Sequence, residues 1–234
     1  MIKKTIMIIF LSSVTLHATG LPNSYYQIKD IKKQKQEFFD ILSPMIEKET
    51  KKVLRDRAFV KNYFNSGLFG FRHDGLGMIK LMEIKKHYRI KDLYNFEEYL
   101  LRVDTIPISI ILAQAALESG WGKSRFVKKA NNIFGQWTYT GKGLIPKGRK
   151  EGQNHKIKIF KSLQSAIKAY LRNINTGWAY KSLRKTRSKL RKDNVKINGL
   201  DLYKEYIYYS QIREEYLKRL KKMILQNDLL KYDE

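Results

Sequence analysis

The sequence predicts a mainly helical protein, class α+β, in which N-terminal helices precede a larger helical unit carrying one small β element. Two observations carry that expectation. Over most of the chain, apolar residues recur at steps of three, four and seven, the period of an amphipathic helix. From residue 138 to 160 the character changes. There Gly141, Gly143, Gly152 and Pro146 separate short stretches such as HKIKIF, in which basic and apolar residues alternate as in a strand.

Taken in order, residues 28–64 place Ile31, Phe38, Phe39, Leu42, Met45 and Ile46 at helical spacings. Pro44 is expected to kink or divide this region into two helices, because proline lacks the donor that an interior turn requires. Residues 65–77 hold four glycines and read as a loop. His73 and Asp74 inside it are ordinary turn chemistry before they are a proton relay. Helical periodicity returns over 78–102, with Tyr94, Phe96, Tyr99 and Leu100 as core candidates. The next helix begins near Thr105, tolerates Pro107 in its first turn and stops at Gly120. A β-hairpin is expected within 138–160, followed by helices at about 162–175 and 200–229. On the last of these Tyr216, Leu220, Met223 and Ile224 share one face. The run KSLRKTRSKLRKDNVK at 181–196 reads as a solvated basic helix face.

The 234 residues suffice for one medium domain with a smaller helical appendage, divided here into 21–94 and 95–234. Forty-seven Lys+Arg against 22 Asp+Glu give +25, a surface that favours polyanions such as nucleic acid, anionic lipid or an acidic wall polymer. Zero cysteines remove disulfides, thiol nucleophiles and thiolate metal sites. The four histidines, His17, His73, His87 and His155, have no metal-motif spacing, so no metal or cofactor is expected. Residues 1–20 have the parts of an export signal: Lys3 and Lys4, an apolar stretch from Ile6 to about Leu16, then Ala18 and Gly20. That stretch falls short of the roughly 20 residues a membrane span needs. An uncleaved anchor is the alternative reading.

One charge stands out. In IPISIILAQAALESGWG, Glu118 ends an apolar helix, with Asp104 and Lys123 its nearest charges along the chain. Ile108, Ile111, Leu112, Ala115 and Glu118 share a face. Burial there disfavours the anion, and so does the negative end of the helix dipole. The result is a carboxylic acid that keeps its proton toward neutral pH, as a general acid must. The structural alternative is a core-edge glutamate paired with Lys123 or Arg125.

AQAALESGWGKSRF followed by ANNIFGQW resembles the peptidoglycan-hydrolysing glucosaminidases of glycoside hydrolase family 73, in particular their Bax-type branch. RVDTIPIS, PKGRKEGQNHKIKIFKS, NINTGWAY and the last 26 residues of the run ending in KYD extend the likeness over about 95–234. The resemblance implies a lysozyme-like fold, a helical lobe and a hairpin lobe flanking a glycan groove. It places Glu118 on the family's proton donor and Tyr180 on a tyrosine lining the active site. It also implies a second acidic residue in the hairpin lobe, for which Glu151 is the only candidate between Glu118 and Asp193. Glu151 as a plain turn residue is the alternative.

Trp121, Phe134, Gln136 and Trp137 would line the groove, ring faces against sugar C–H faces and amide against hydroxyls. Trp121 and Phe134 serve equally well as core residues. Asn131 and Asn132 either cap a helix or bind an acetamido group. The expected substrate is peptidoglycan, cut at the β-1,4 bond after N-acetylglucosamine by an exported, monomeric enzyme of the periplasm or cell envelope. A lytic transglycosylase shares the fold but usually carries a GLMQ-type stretch where this chain has NNIFGQW. A nucleic-acid-binding module using residues 181–196 is the reading from another class. The export signal and Glu118 weigh against it, so no nucleic-acid partner and no stable membrane insertion are expected.

Overall fold

The structure is a computed structural model and describes residues 20–65, 75–146, 148–149 and 151–234. The leader and the loop with His73 and Asp74 lie outside the described residues. A short helix α1 (Asn23–Gln27) leads into α2 (Ile31–Asn65), a single helix of 35 residues. Pro44 therefore does not divide it. Its ring is exposed, so water can satisfy the carbonyl it strands, while Phe38, Phe39, Leu42 and Ile46 hold the turns around it against the core.

The expected helix at 78–102 is two: α3 (Gly75–Tyr88) and α4 (Phe96–Arg102). Arg89 adopts a left-handed conformation (φ 54°) that ends α3, and Asn95 caps α4 by accepting a 2.9 Å bond from the Glu98 N–H. Tyr94 falls in the break and is 63% exposed, not core; Tyr99 is fully buried.

Helix α5 (Ile108–Ser119) is the centre of the molecule: every residue from Ser109 to Ala116 is buried. A helix apolar all round needs neighbours all round, and it has them in α2, in α10 (Arg213–Gln226) and in the C-terminal 3₁₀ turn Leu229–Asp233. Asp233 accepts a 2.9 Å bond from the Ser109 N–H and binds the Ser109 hydroxyl, so the end of the chain caps the start of α5.

After α6 (Arg125–Ala130) come β1 (Trp137–Thr138), β2 (Gly143–Leu144) and β3 (Lys156–Lys158). The expected hairpin is a three-stranded antiparallel sheet in the order β1-β3-β2, with Ile157 opposite Trp137 on one side and Leu144 on the other. Ser162 caps α7 (Leu163–Thr176) in a capping box, and the 3₁₀ turn Trp178–Tyr180 leads into α8 (Lys181–Lys192). Helices with one small antiparallel sheet form the mainly α, lysozyme-like architecture that was expected.

Two further expectations need correction. The C-terminal helix at 200–229 is broken into α9 (Gly199–Leu202), a 3₁₀ turn at Tyr203–Tyr206, a bend and α10. The bend brings Tyr206, Tyr209 and Tyr216 together beside Tyr180, with ring centroids 5.3–6.5 Å apart. The basic run is not simply a solvated face, because Arg184 and Arg187 are 6% and 1% exposed. Arg187 donates to the carbonyls of Leu101, Asp104 and Thr105 and to Asn175 Oδ1, and its Nε lies 3.6 Å from the Asp104 carboxylate. It ties α8 to the segment that enters α5.

Apolar packing falls into two cores. The larger surrounds α5; a smaller one joins Val60 and Tyr63 of α2 to Leu81, Ile84, Tyr88, Tyr99 and Val103. Helix α2 runs through both. None of the described helices is long and apolar enough to cross a membrane.

Candidate active site

Glu118 lies in the last turn of α5, half-buried, and Gly120 ends the helix in the left-handed conformation (φ 55°, ψ 52°). The chain then turns through Trp121 and Gly122. A Cβ on Gly122 would come within 2.2 Å of Leu21 Cδ1 at a φ of +71°, so only glycine fits. Ser119 pins the turn, accepting from the Gly122 N–H at 2.7 Å. The N-terminal segment braces it from outside: Tyr25 donates to the Trp121 carbonyl at 2.6 Å and Tyr26 to the Gly122 carbonyl at 3.1 Å.

Burial raises the Glu118 pKa above the ordinary carboxylate value, and a hydrogen bond from Tyr216 draws it partly back. No described cation contributes, so pairing with Lys123 or Arg125 is not what the structure shows. Tyr180, Tyr209 and Tyr216 all feel the Glu118 charge, which together with burial pushes each phenol upward. Tyr180 is 7% exposed and makes no hydrogen bond among the described residues, leaving its hydroxyl uncommitted beside the carboxylate. The loop after α6 passes close by: a Cβ on Gly135 would sit 3.9 Å from Glu118 Oε2.

The expected groove residues divide in two. Trp137 is 54% exposed and stacks on His155 with ring centroids 4.4 Å apart, a flat open platform at the edge of the sheet. The other four are engaged by the protein. The Trp121 indole wedges edge-on against Phe38 and Phe39 of α2, at 5.6 and 5.4 Å. Phe134 is 3% exposed and stacks on Tyr170 at 4.1 Å. Gln136 donates its side-chain amide to the Ala166 carbonyl at 2.9 Å. Asn132, 1% exposed, donates to the carbonyls of Gln136 and Lys158 and accepts from the Gln136 N–H. With both amide protons spent, what it gives the site is loop shape. Asn131 takes a left-handed φ of 50° at the end of α6 and donates to the Phe160 carbonyl. Glu151 stands exposed on the long connection between β2 and β3.

Sequence reasoning missed the polar cluster behind Glu118. Gln114, one turn earlier on the same face, donates to the Tyr216 hydroxyl at 2.9 Å and accepts from Tyr170. Tyr209 donates to the Phe134 carbonyl at 3.2 Å, tying the bend before α10 to the Gly135 loop. The available signals were Gln114 four residues before Glu118 and a total of 15 tyrosines. Among the described residues no group of three or more metal-ligating side chains gathers.

Residues 94–229, more than half of the chain, match the glucosaminidase family, described as mannosyl-glycoprotein endo-beta-N-acetylglucosaminidase. Protein bax of Escherichia coli (strain K12) is 29% identical over 202 residues, which cover 84% of this chain and 71% of that protein. No solved structure matches significantly. The matched segment contains Glu118, Tyr180, the sheet and Tyr216, so the site described above lies inside it. This chain belongs to the glucosaminidase family.

Proposed function

We propose that this protein hydrolyses the β-1,4 bond between N-acetylglucosamine and N-acetylmuramic acid in peptidoglycan, with Glu118 as proton donor. The observation that carries the proposal is a half-buried carboxylate, free of any described cation and raised in pKa by burial, in a glucosaminidase-family chain. Such a group holds its proton until the glycosidic oxygen develops charge, then gives it up. Tyr180 supplies a free hydroxyl next to the donor, suited to hold a sugar hydroxyl or water near the anomeric carbon. Trp137 with His155 offers a face for a sugar ring. The net charge of +25 suits a polymer bearing peptide carboxylates. An exported location follows from the same reading.

Glu151 is the proposed second carboxylate, the base that activates water across the bond. Its exposed position supports a second reading, a substrate-assisted route in which the N-acetyl oxygen attacks the anomeric carbon and Glu118 is the only carboxylate required. Glu151→Ala separates them: under the first reading turnover falls at least about 100-fold, a typical loss for a general base. Near-normal turnover selects the second.

Digestion of purified peptidoglycan followed by mass spectrometry of the new glycan ends tests the activity. Reducing N-acetylglucosamine ends are expected. Anhydro-muramyl ends would make the protein a lytic transglycosylase, and uncut glycan would overturn the proposal.

A further inference from the structure

The start of α8 gathers cations at the end of a helix that favours anions. Lys181, Arg184 and Lys185 all fall in its opening residues, and its first turn holds no acid. Arg184 and Lys185 follow Lys181 at three and four residues, so the three share one face. Together with Glu98 and Arg102 of α4 and with Trp178 they line a pocket of about 370 Å³. Trp178 is 86% exposed, more than any other large apolar side chain among the described residues. It opens the 3₁₀ turn that Tyr180 closes, so one short turn serves both this pocket and the candidate active site.

Arg184 is the unusual member of the group. It is 6% exposed, and the one acid lining the pocket is committed elsewhere. Glu98 accepts from Arg102 Nε at 2.9 Å and from the Lys91 N–H at 3.0 Å. Arg187, further along α8, is treated differently, with the Asp104 carboxylate 3.6 Å from its Nε. Burial, with Arg102 and Arg187 close by, lowers the Arg184 pKa to about 10 against the pull of Glu98.

The hydrogen bonds show which part of Arg184 is spare. Its Nη1 donates to the carbonyls of Ile174 and Gly177 at 2.9 and 2.8 Å, which holds the guanidinium against the end of α7. Nε and Nη2 have no partner among the described residues. Neither is sealed in, because the buried side-chain atoms left without a partner there are the hydroxyls of Thr50 and Tyr99. Nε and Nη2 form one edge of the guanidinium, two parallel donors that match the two oxygens of a carboxylate.

We propose that this pocket is a carboxylate-binding subsite that takes a carboxylate of the peptides carried by the wall glycan. Arg184 offers its free edge, Lys181 and Lys185 supply the surrounding charge, and Trp178 forms an apolar lip. The choice of ligand rests on the peptidoglycan reading above; the demand for an anion does not. A carboxylate bound there supplies the counter-charge that Arg184 lacks and anchors the strand beside Tyr180. An arginine kept only to cap α7 accounts for Nη1, but not for two lysines set beside it against the helix dipole.

The test is co-sedimentation of the full chain with insoluble peptidoglycan, either intact or with its peptide carboxylates converted to amides. Binding is measured in the Glu118→Gln background, so that the glycan stays whole. On intact material, Lys181→Ala with Lys185→Ala weakens binding about tenfold, within the range of two exposed ion pairs. On amidated material the same pair changes binding by less than about twofold. Arg184→Lys keeps the charge, loses the fork and behaves in the same way. Lys218→Ala with Lys222→Ala removes an equally spaced exposed pair on α10 and shifts binding on either material by less than about twofold. Equal losses from the two lysine pairs would reduce the effect to bulk charge and overturn the proposal. Equal losses on intact and amidated material would overturn it too, as would undiminished binding by folded Arg184→Lys. Should Arg184→Lys not fold, the two lysine pairs decide alone. Cleavage by the unaltered protein is scored separately. Binding that changes as stated in a protein that cuts no glycan leaves the subsite standing and removes the hydrolase reading. Cleavage with no effect of the Lys181 and Lys185 substitutions on binding does the reverse.

Discussion

Two carboxylates, one fully buried and one half-buried, mark the two ends of helix α5, and the chain treats them in opposite ways. Asp104, just before the helix, is 1% exposed and lies within 3.4–3.7 Å of Arg57, Arg187 and Arg191. Burial pushes its pKa up, but the three guanidinium groups and the Thr105 N–H outweigh burial and hold the carboxyl below its ordinary value. Glu118, in the last turn of the same helix, meets only phenols and stays above its ordinary value because of burial. A charge kept for architecture is surrounded by partners, because an unpaired ion in the interior is costly. The carboxylate proposed for proton transfer is left short of them.

The substitutions that break this contrast can be ranked. Glu118→Gln should abolish glycan cleavage, a loss of at least about 1000-fold, in the upper range for removing a general acid. Asp104→Ala should spare the chemistry of whatever remains folded but destabilise by about 3–5 kcal/mol, because three arginines lose their buried counter-ion. Thermal melts check the second, turnover per folded molecule the first. The smallest effect belongs to Trp137→Ala, which removes an exposed ring: no measurable change in melting, but glycan binding weaker by about tenfold if the ring supplies one stacking contact.

The two carboxylates also give opposite pH signatures. Asp104 contributes stability that is fully present above its unfolded pKa near 3.8 and is lost as pH falls through its lowered folded value. For Glu118 the folded state binds the proton more tightly than the unfolded chain, whose pKa is near 4.5. Its effect on stability is nil below that pH and becomes a growing penalty as pH rises toward the folded pKa.

Local features were legible in the sequence: the helix that carries Glu118, the left-handed stop at Gly120 and the strand-like alternation around Ile157. They depend on residues a few positions apart. Partnerships across the chain were not legible. Arg187 reads as one more charge in a basic run until the fold brings it to the Asp104 carbonyl, 83 residues away. Tyr216 reads as one apolar-face residue among four until it meets Gln114 across 102 residues. Pro44 misled because its effect depends on which way the ring faces, and Tyr94 because periodicity does not register a left-handed turn at Arg89. At the candidate site, the motif singles out Glu118 and Tyr180, and the fold sets the phenol within reach of the carboxylate's charge. That Asn132 and Phe134 are enclosed could not be read there, since burial is settled by Tyr170 and the sheet.

The central claim is that the fold tolerates an uncompensated carboxylate at Glu118 for the sake of its chemistry. The direct measurement is the unfolding free energy of Glu118→Gln against the unaltered protein from pH 4 to 8. The account predicts a variant that is more stable at neutral pH, with the two curves converging toward and below pH 4.5. A variant that is less stable at neutral pH would mean that Glu118 holds the fold together, as Asp104 does, and would contradict the account.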